Sequence, residues 1–144
     1  MDKIGIIPFD TQNGAVAVLF VTSQTRGRWI LPKGGRQKGE TAVETCHREG
    51  FEEAGVRGIV LEQYPITVVV GKQTDTGLEQ LPVTYYPYLV QTQEDEWPEK
   101  ERRQRHWALI DDAPKVAYRE DFAGLIEIIK DLKPWLKIAA EQHK

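Results

Sequence analysis

The reading of this chain turns on one stretch: Gly34-Gly35-Arg36-Gln37-Lys38-Gly39-Glu40-Thr41, then Ala42-Val43-Glu44-Thr45-Cys46-His47-Arg48-Glu49-Gly50-Phe51-Glu52-Glu53-Ala54-Gly55-Val56. Thr41 with Glu44 three residues on is a capping-box pattern, and Gly55 is a natural stop, so the spacing predicts a helix from about Thr41 to Ala54. Residues three and four apart share a helix face. Glu49, Glu52 and Glu53 therefore converge, while Val43, Cys46, Gly50 and Ala54 form an adjacent face able to pack on a sheet. Three carboxylates held close repel one another unless a cation compensates them. Hard divalent ions such as Mg²⁺ prefer carboxylate oxygens and bind beside substrate phosphates.

A solvated helix with local Glu–Arg pairs would use the same residue types. The loop before the helix shifts the balance. Residues 25–40 carry Arg26, Arg28, Lys33, Arg36 and Lys38 against one acid, Glu40, in a chain that is acidic overall. Cations beside a metal-binding acidic face suit a polyphosphate: the metal neutralises the reacting phosphates, and Arg and Lys hold the others. Gly34 and Gly35 let the backbone approach such a group closely.

Working outward, Ile4–Phe9 and Ala15–Val21 read as strands joined at Asn13-Gly14, a strong hairpin signal. Further strands are expected at Trp29–Leu31, Ile66–Val70, Val83–Val90 and His106–Ile110. Phe122, Leu125, Ile126, Ile129 and Leu132 recur at helical spacing, with Pro134 breaking or kinking that tail helix. Strands on both sides of a central helix, with a closing helix, indicate a layered α/β domain.

The chain has 144 residues, a net charge of −3 and 40% hydrophobic residues, which suits one domain over residues 1–144 with a real core. No window approaches a membrane span, and the N-terminus lacks the pattern of a signal peptide. One cysteine, Cys46, excludes an intrachain disulfide framework and a Cys-based zinc cluster. It also fits a reducing compartment, so a cytoplasmic location is expected. Mild acidity argues against a general nucleic-acid binder, no membrane partner is expected, and oligomeric state stays open.

The segment from Gly34 to Val56 resembles the Nudix box: Gly, five residues, Glu, seven residues, Arg-Glu, an aliphatic residue, any residue, Glu-Glu, any residue, Gly, aliphatic. Gly34, Glu40, Arg48, Glu49, Glu52, Glu53, Gly55 and Val56 fall on the pattern; Gly50 stands where an aliphatic residue is usual. Arg28-Trp29-Ile30-Leu31-Pro32 and Arg103-Gln104-Arg105-His106-Trp107 look like the branch hydrolysing diphosphoinositol and diadenosine polyphosphates. Pro32-Lys33-Gly34 is closer to the diadenosine tetraphosphate hydrolases.

The resemblance implies a Nudix fold, an α/β/α sandwich around a mixed β-sheet. It implies a hydrolase of phosphoanhydride bonds in dinucleoside or related small polyphosphates, using Mg²⁺ or Mn²⁺. By residue match, Glu49 and Glu53 ligate metal within the Glu49, Glu52, Glu53 cluster, with a backbone carbonyl of Lys33 or Gly34 assisting. Glu52 orients or deprotonates the attacking water, Arg48 holds the helix carboxylates, and Glu40 braces the loop. Arg26, Arg28, Lys33 and Arg103 are the substrate-binding candidates, with Arg105 a further one. The acidic run Glu94 to Glu101 is where an additional acid would be sought. The alternatives are a pyrophosphohydrolase of RNA 5′ ends and a Nudix-like nucleotide sensor without turnover.

Overall fold

The computed structural model describes residues 2–24, 27–117 and 119–143, with only the backbone described at 72–74 and 119–123. In chain order the elements are β1 (Lys3–Gln12), β2 (Ala15–Thr22), β3 (Trp29–Ile30), β4 (Lys33–Gly35), α1 (Ala42–Ala54), β5 (Val56–Val60), β6 (Ile66–Thr74), β7 (Gly77–Gln93), β8 (Arg105–Leu109), α2 (Ala113–Val116), α3 (Arg119–Asp131) and α4 (Lys133–Gln142). The strands form one sheet with central order β3-β2-β1-β7-β5. β4 pairs with β1, β6 with β7, and β8 with β2. The β1–β7 pair is parallel and the others are antiparallel, so the sheet is mixed.

Local chemistry sets the boundaries. Asn13 and Gly14 both adopt positive φ, the requirement of a two-residue hairpin turn matched to strand twist, and Gln12 faces Ala15 across it. At the start of α1 the Glu44 N–H donates to Thr41 Oγ1 (3.1 Å) and the Thr41 N–H donates to Glu44 Oε1 (3.0 Å). The helix ends at Gly55, left-handed at φ +68°, whose N–H donates to the Phe51 carbonyl (3.0 Å). Pro134 lies in the first turn of α4, where its missing N–H leaves no helical bond unmade, so it starts a new helix after Leu132. Phe122, part of the expected tail pattern, has its side chain outside the described residues.

Strand alternation splits the core in two. Ile7, Phe9, Val16, Val18 and Phe20 face one way and pack with Leu125, Ile126 and Ile129 of α3 and Leu136, Ala139 and Ala140 of α4. Ile4, Ile6, Leu19, Val21, Tyr88 and Val90 face the other way and pack with Cys46 and Ala54 of α1. Helices thus cover both faces, giving the α/β/α sandwich. Fully burying an aliphatic side chain contributes roughly 1.5–3 kcal/mol, so α1 is held at a fixed depth. Gly50 sets that depth: a Cβ there would come within 2.9 Å of Ile6 Cδ1, closer than a side chain tolerates. The glycine therefore marks the closest approach of helix to sheet.

Candidate functional site

The face of α1 away from the sheet carries the acids, and the chain just before it supplies the opposite wall. β4 pairs with β1 so that Gly34 faces Ile4 and Lys33 faces Gly5. This brings the Gly34 backbone against Glu49. A Cβ at Gly34 would collide with the Glu49 carboxylate, so only glycine leaves that carboxylate its place.

Arg48 organises the acids. Its Nε donates to Glu40 Oε2 (2.8 Å), and Nη1 donates to Glu49 Oε1 (2.6 Å) and Glu52 Oε2 (3.2 Å). Nη2 donates to the Gly35 carbonyl (2.9 Å) and to Glu40 Oε1 (3.0 Å). One guanidinium thus joins the loop to three carboxylates. Glu40 also accepts from Thr45 Oγ1 (2.7 Å) and from the Gln37 N–H (3.1 Å). The Arg48 hydrogen bonds, followed by that of Thr45, bring the Glu40 carboxyl down to about 2. Hydrogen bonds to Glu40 first, and to Glu49, raise the Arg48 guanidinium above its ordinary value, so Glu40 and Arg48 both stay charged.

Glu53 behaves in the opposite way. It is 4% exposed and Glu49 is 7% exposed, the two buried acids among the described residues. Burial first, then the hydrogen bond that its neutral carboxyl donates to the neighbouring Glu49, push Glu53 up to about 9, against the favourable pull of Arg103. Five carboxylates (Glu40, Glu49, Glu52, Glu53 and Glu99) surround only two guanidiniums, Arg48 and Arg103. The proton that burial favours on Glu53 is what a cation would replace. The donor set, two carboxylates against a glycine backbone, fits a hard divalent ion that keeps several waters. Among the described residues, no three His, Cys, Asp or Glu side chains gather closely enough to hold a metal by themselves.

The structure therefore divides the expected cluster. Glu49 and Glu53 are together and buried, while the Glu52 side chain is 37% exposed and turned to Arg48 and solvent. Lys33 and Arg28 are half-buried, on β4 and before β3 respectively. Arg26 lies outside the described residues. Arg103 is brought to the site, but its guanidinium is bound to protein groups. Nε donates to Glu99 Oε1 (2.9 Å), Nη1 donates to the Thr22 carbonyl (2.8 Å), and Nη2 lies 3.5 Å from Glu53 Oε1.

The segment after β7 closes the end of α1. The Glu99 N–H donates to the Glu52 carbonyl (3.0 Å), and Trp97 Nε1 donates to the Glu53 carbonyl (3.1 Å). Arg105 Nη1 donates to the carbonyls of Ala54 (3.0 Å) and Glu94 (2.8 Å), with its guanidinium 3.8 Å above the Trp97 ring. Arg105 thus satisfies carbonyls at the helix end and complements the helix dipole there. Glu99 is the acid of the later run that reaches the site. No spacing rule marked it out, because its approach depends on how a non-helical segment folds back over α1.

The family model described as NUDIX domain matches residues 1–132. Nudix hydrolase 12, mitochondrial, of Arabidopsis thaliana is 36% identical over 108 residues, covering 72% of this chain and 53% of that protein. Nudix hydrolase 18, mitochondrial, of the same plant is 33% identical over 117 residues, covering 76% and 65%. The chain thus spans between half and two thirds of these curated relatives. Among solved structures, a C. elegans Ap4A hydrolase binary complex superposes with a TM-score of 0.70 at 20% identity, over 94% of this chain and 98% of that one. The NUDIX domain of Shewanella oneidensis NrtR complexed with ADP ribose gives 0.65 at 19% identity, over 91% and 86%. At these identities the solved structures establish a shared fold.

Proposed function

The chain belongs to the Nudix family, and on that premise we propose that it is a metal-dependent pyrophosphohydrolase of dinucleoside polyphosphates or related small polyphosphates. The observation that carries this reading is the buried Glu49–Glu53 pair against the Gly34 backbone. Burying two acids together is costly unless a cation belongs between them.

Glu49 and Glu53 would hold Mg²⁺ or Mn²⁺, with a carbonyl of Lys33 or Gly34 assisting. When bound, the ion supplies charge neutralisation at the phosphate oxygens and lowers the pKa of the attacking water. Glu52, partly exposed and joined to that pair through Arg48, would accept the water's proton as it attacks phosphorus. The bond that breaks is phosphorus to bridging oxygen, and the leaving phosphate chain carries the new negative charge. Arg28, Lys33 and Arg26 precede Gly34 and meet that charge with charge-assisted contacts. Arg48 and Glu40 do not act on substrate; they fix the loop to the helix so that the Gly34 backbone and the carboxylates keep their spacing. The single cysteine is fully buried, which suits a reducing setting such as the cytoplasm.

The test is a substrate panel with Mg²⁺ or Mn²⁺: diadenosine polyphosphates, diphosphoinositol polyphosphates, ADP-ribose, a nucleotide sugar and 5′-triphosphorylated RNA, with products identified. Highest kcat/KM on the small polyphosphates is the expected result. Preference for RNA ends, for ADP-ribose, or no turnover at all would overturn it.

A further inference from the structure

Beside the carboxylates the surface opens into a hollow of about 620 Å³, lined by residues 22–24 and 27 on one side and 100–104 on the other. That volume lies within the range of small-ligand sites, about 300–1,000 Å³. Its walls are tied together. The Thr22 N–H donates to the Gln104 carbonyl (3.1 Å), and the Gln104 N–H donates to Thr22 Oγ1 (2.9 Å). Gln24 Nε2 donates to Glu99 Oε1 (2.9 Å). The hollow is thus preformed, and it adjoins the site through Arg103, a residue of its lining whose guanidinium lies 3.5 Å from Glu53 Oε1.

Its charge is the reverse of the carboxylate cluster. Lys100, Arg102 and Arg103 line it with one acid, Glu101. Arg103 is committed to Glu99, Thr22 and Glu53. Among the described residues Lys100 pairs with the exposed Glu96 (2.7 Å), a surface pair of small net value that an anion can replace. Arg102 is exposed, and its side chain makes no hydrogen bond or ion pair among the described residues. A cation left to solvent, in a hollow running into a cation-binding site, has one evident complement.

We propose that this hollow is the subsite for the part of a polyphosphate chain lying beyond the cleaved bond, with Arg102 its principal contact and Lys100 its second. The inference rests on the polyphosphate reading above and adds residues that reading does not use. The substrate lies across α1 with its reacting phosphates at Glu49 and Glu53 and its remaining charge over the Lys100–Arg102 turn. Chain length is then sensed at Arg102.

The test is titration calorimetry with inorganic tripolyphosphate in chelator, where neither turnover nor metal complexation contributes, run on wild type, Arg102→Ala, Arg102→Lys and Arg102→Ala/Lys100→Ala. Arg102→Ala should weaken binding roughly tenfold, the scale of one lost charge-assisted contact at a surface. Arg102→Lys should recover part of that, since a point charge replaces a fork. In turnover, the ratio of KM values for two- and four-phosphate diadenosine substrates should shift by a similar factor. Equal tripolyphosphate affinity in wild type and the double variant would overturn the subsite while leaving the substrate reading standing. Tripolyphosphate binding that depends on Arg102, in an enzyme preferring two-phosphate substrates, would do the reverse.

Discussion

Arg103 Nη2 lies 3.5 Å from Glu53 Oε1, with both side chains less than a tenth exposed, and the same guanidinium is hydrogen-bonded to Glu99 and Thr22. The residue nearest in kind to a substrate-binding arginine is thus also a counter-charge for two acids. Breaking a buried pair by removing one partner typically costs about 3–5 kcal/mol, because the other charge is stranded. With Glu53 holding its proton in the metal-free protein, the charge left unpaired is Glu99, which keeps some solvent, so Arg103→Ala should cost about 1–3 kcal/mol, and Arg103→Lys should recover part of it. Urea denaturation of the metal-free protein measures this. A stability unchanged within about 0.5 kcal/mol, together with lower kcat/KM, would return Arg103 to the substrate.

Gly34 meets Glu49 with no space for a methyl group. Gly34→Ala should displace that carboxylate and weaken divalent binding tenfold or more, while far-UV circular dichroism stays native. The readout is the rise in Tm with added Mg²⁺ or Mn²⁺, since a ligand of the folded state stabilises it by mass action. An undiminished rise would detach Glu49 from the metal.

Glu53 gives the metal-free protein an unusual pH profile. Its carboxyl is pushed up to about 9 in the fold from an unfolded value of 4.5, so the folded state binds the extra proton. Stability from this group is fully present below pH 4.5 and declines as pH rises toward 9. Glu40 works at the other end. Held down to about 2, it contributes above pH 4.5 and loses that contribution as pH falls through 2. Metal-free stability should therefore peak near pH 5. Glu53→Gln, which keeps the neutral form, should flatten the alkaline decline and be the more stable protein at pH 8, by on the order of 2 kcal/mol. Chemical denaturation at a series of pH values decides it, and a wild type that gains stability from pH 5 to 8 would contradict the buried-proton arrangement.

Much of this was legible in the sequence, for reasons that differ by element. The capping box and left-handed Gly55 defined α1, and Asn13-Gly14 defined the first hairpin, because those signals lie within a few residues of one another. β4 was not legible: Lys33-Gly34-Gly35 has no alternating pattern, and it is a strand only because β1 offers it an edge. β5 follows Gly55 directly and was hidden by the helix stop. The strand expected over Val83–Val90 runs from Gly77 to Gln93, back past Pro82, which local rules treat as an interruption. In the site, helical spacing placed Glu49 and Glu53 together, but not the separation of Glu52, which depends on Arg48. Glu99 was readable only as a charge in a run, since its contacts with Glu52 and Gln24 are distant in sequence.

Gly50 gives a test of that distinction. Local propensity alone makes Gly50→Ala stabilising by about 1 kcal/mol in a helix interior. The 2.9 Å approach to fully buried Ile6 Cδ1 opposes it. The single variant should therefore be neutral or destabilising, while Ile6→Val, which removes that Cδ1, should make the alanine favourable. A double-mutant cycle in urea should show coupling of at least about 0.5 kcal/mol, and additive effects would mean the helix does not press on β1 at Gly50.

The last prediction separates the acids by what each does. Glu53 is buried beside Glu49, whereas Glu52 is partly in solvent and held by Arg48. A ligand must be a carboxylate on the pair, and a base must reach solvent water. Glu53→Gln should therefore abolish most of the Tm rise produced by Mg²⁺ or Mn²⁺, and activity with it. Glu52→Gln should keep most of that rise but lower kcat by about 10²–10⁴, the usual effect of removing a general base. Glu99→Gln provides the comparison: Glu99 touches Arg103 and Gln24 rather than the Glu49–Glu53 pair, so its loss should act through Arg103 and be milder on kcat than Glu52→Gln. If Glu99→Gln lowered kcat more than Glu52→Gln, the proton would pass to the acid of the later segment. If Glu52→Gln removed the metal response and Glu53→Gln retained it, the two helix carboxylates would exchange roles.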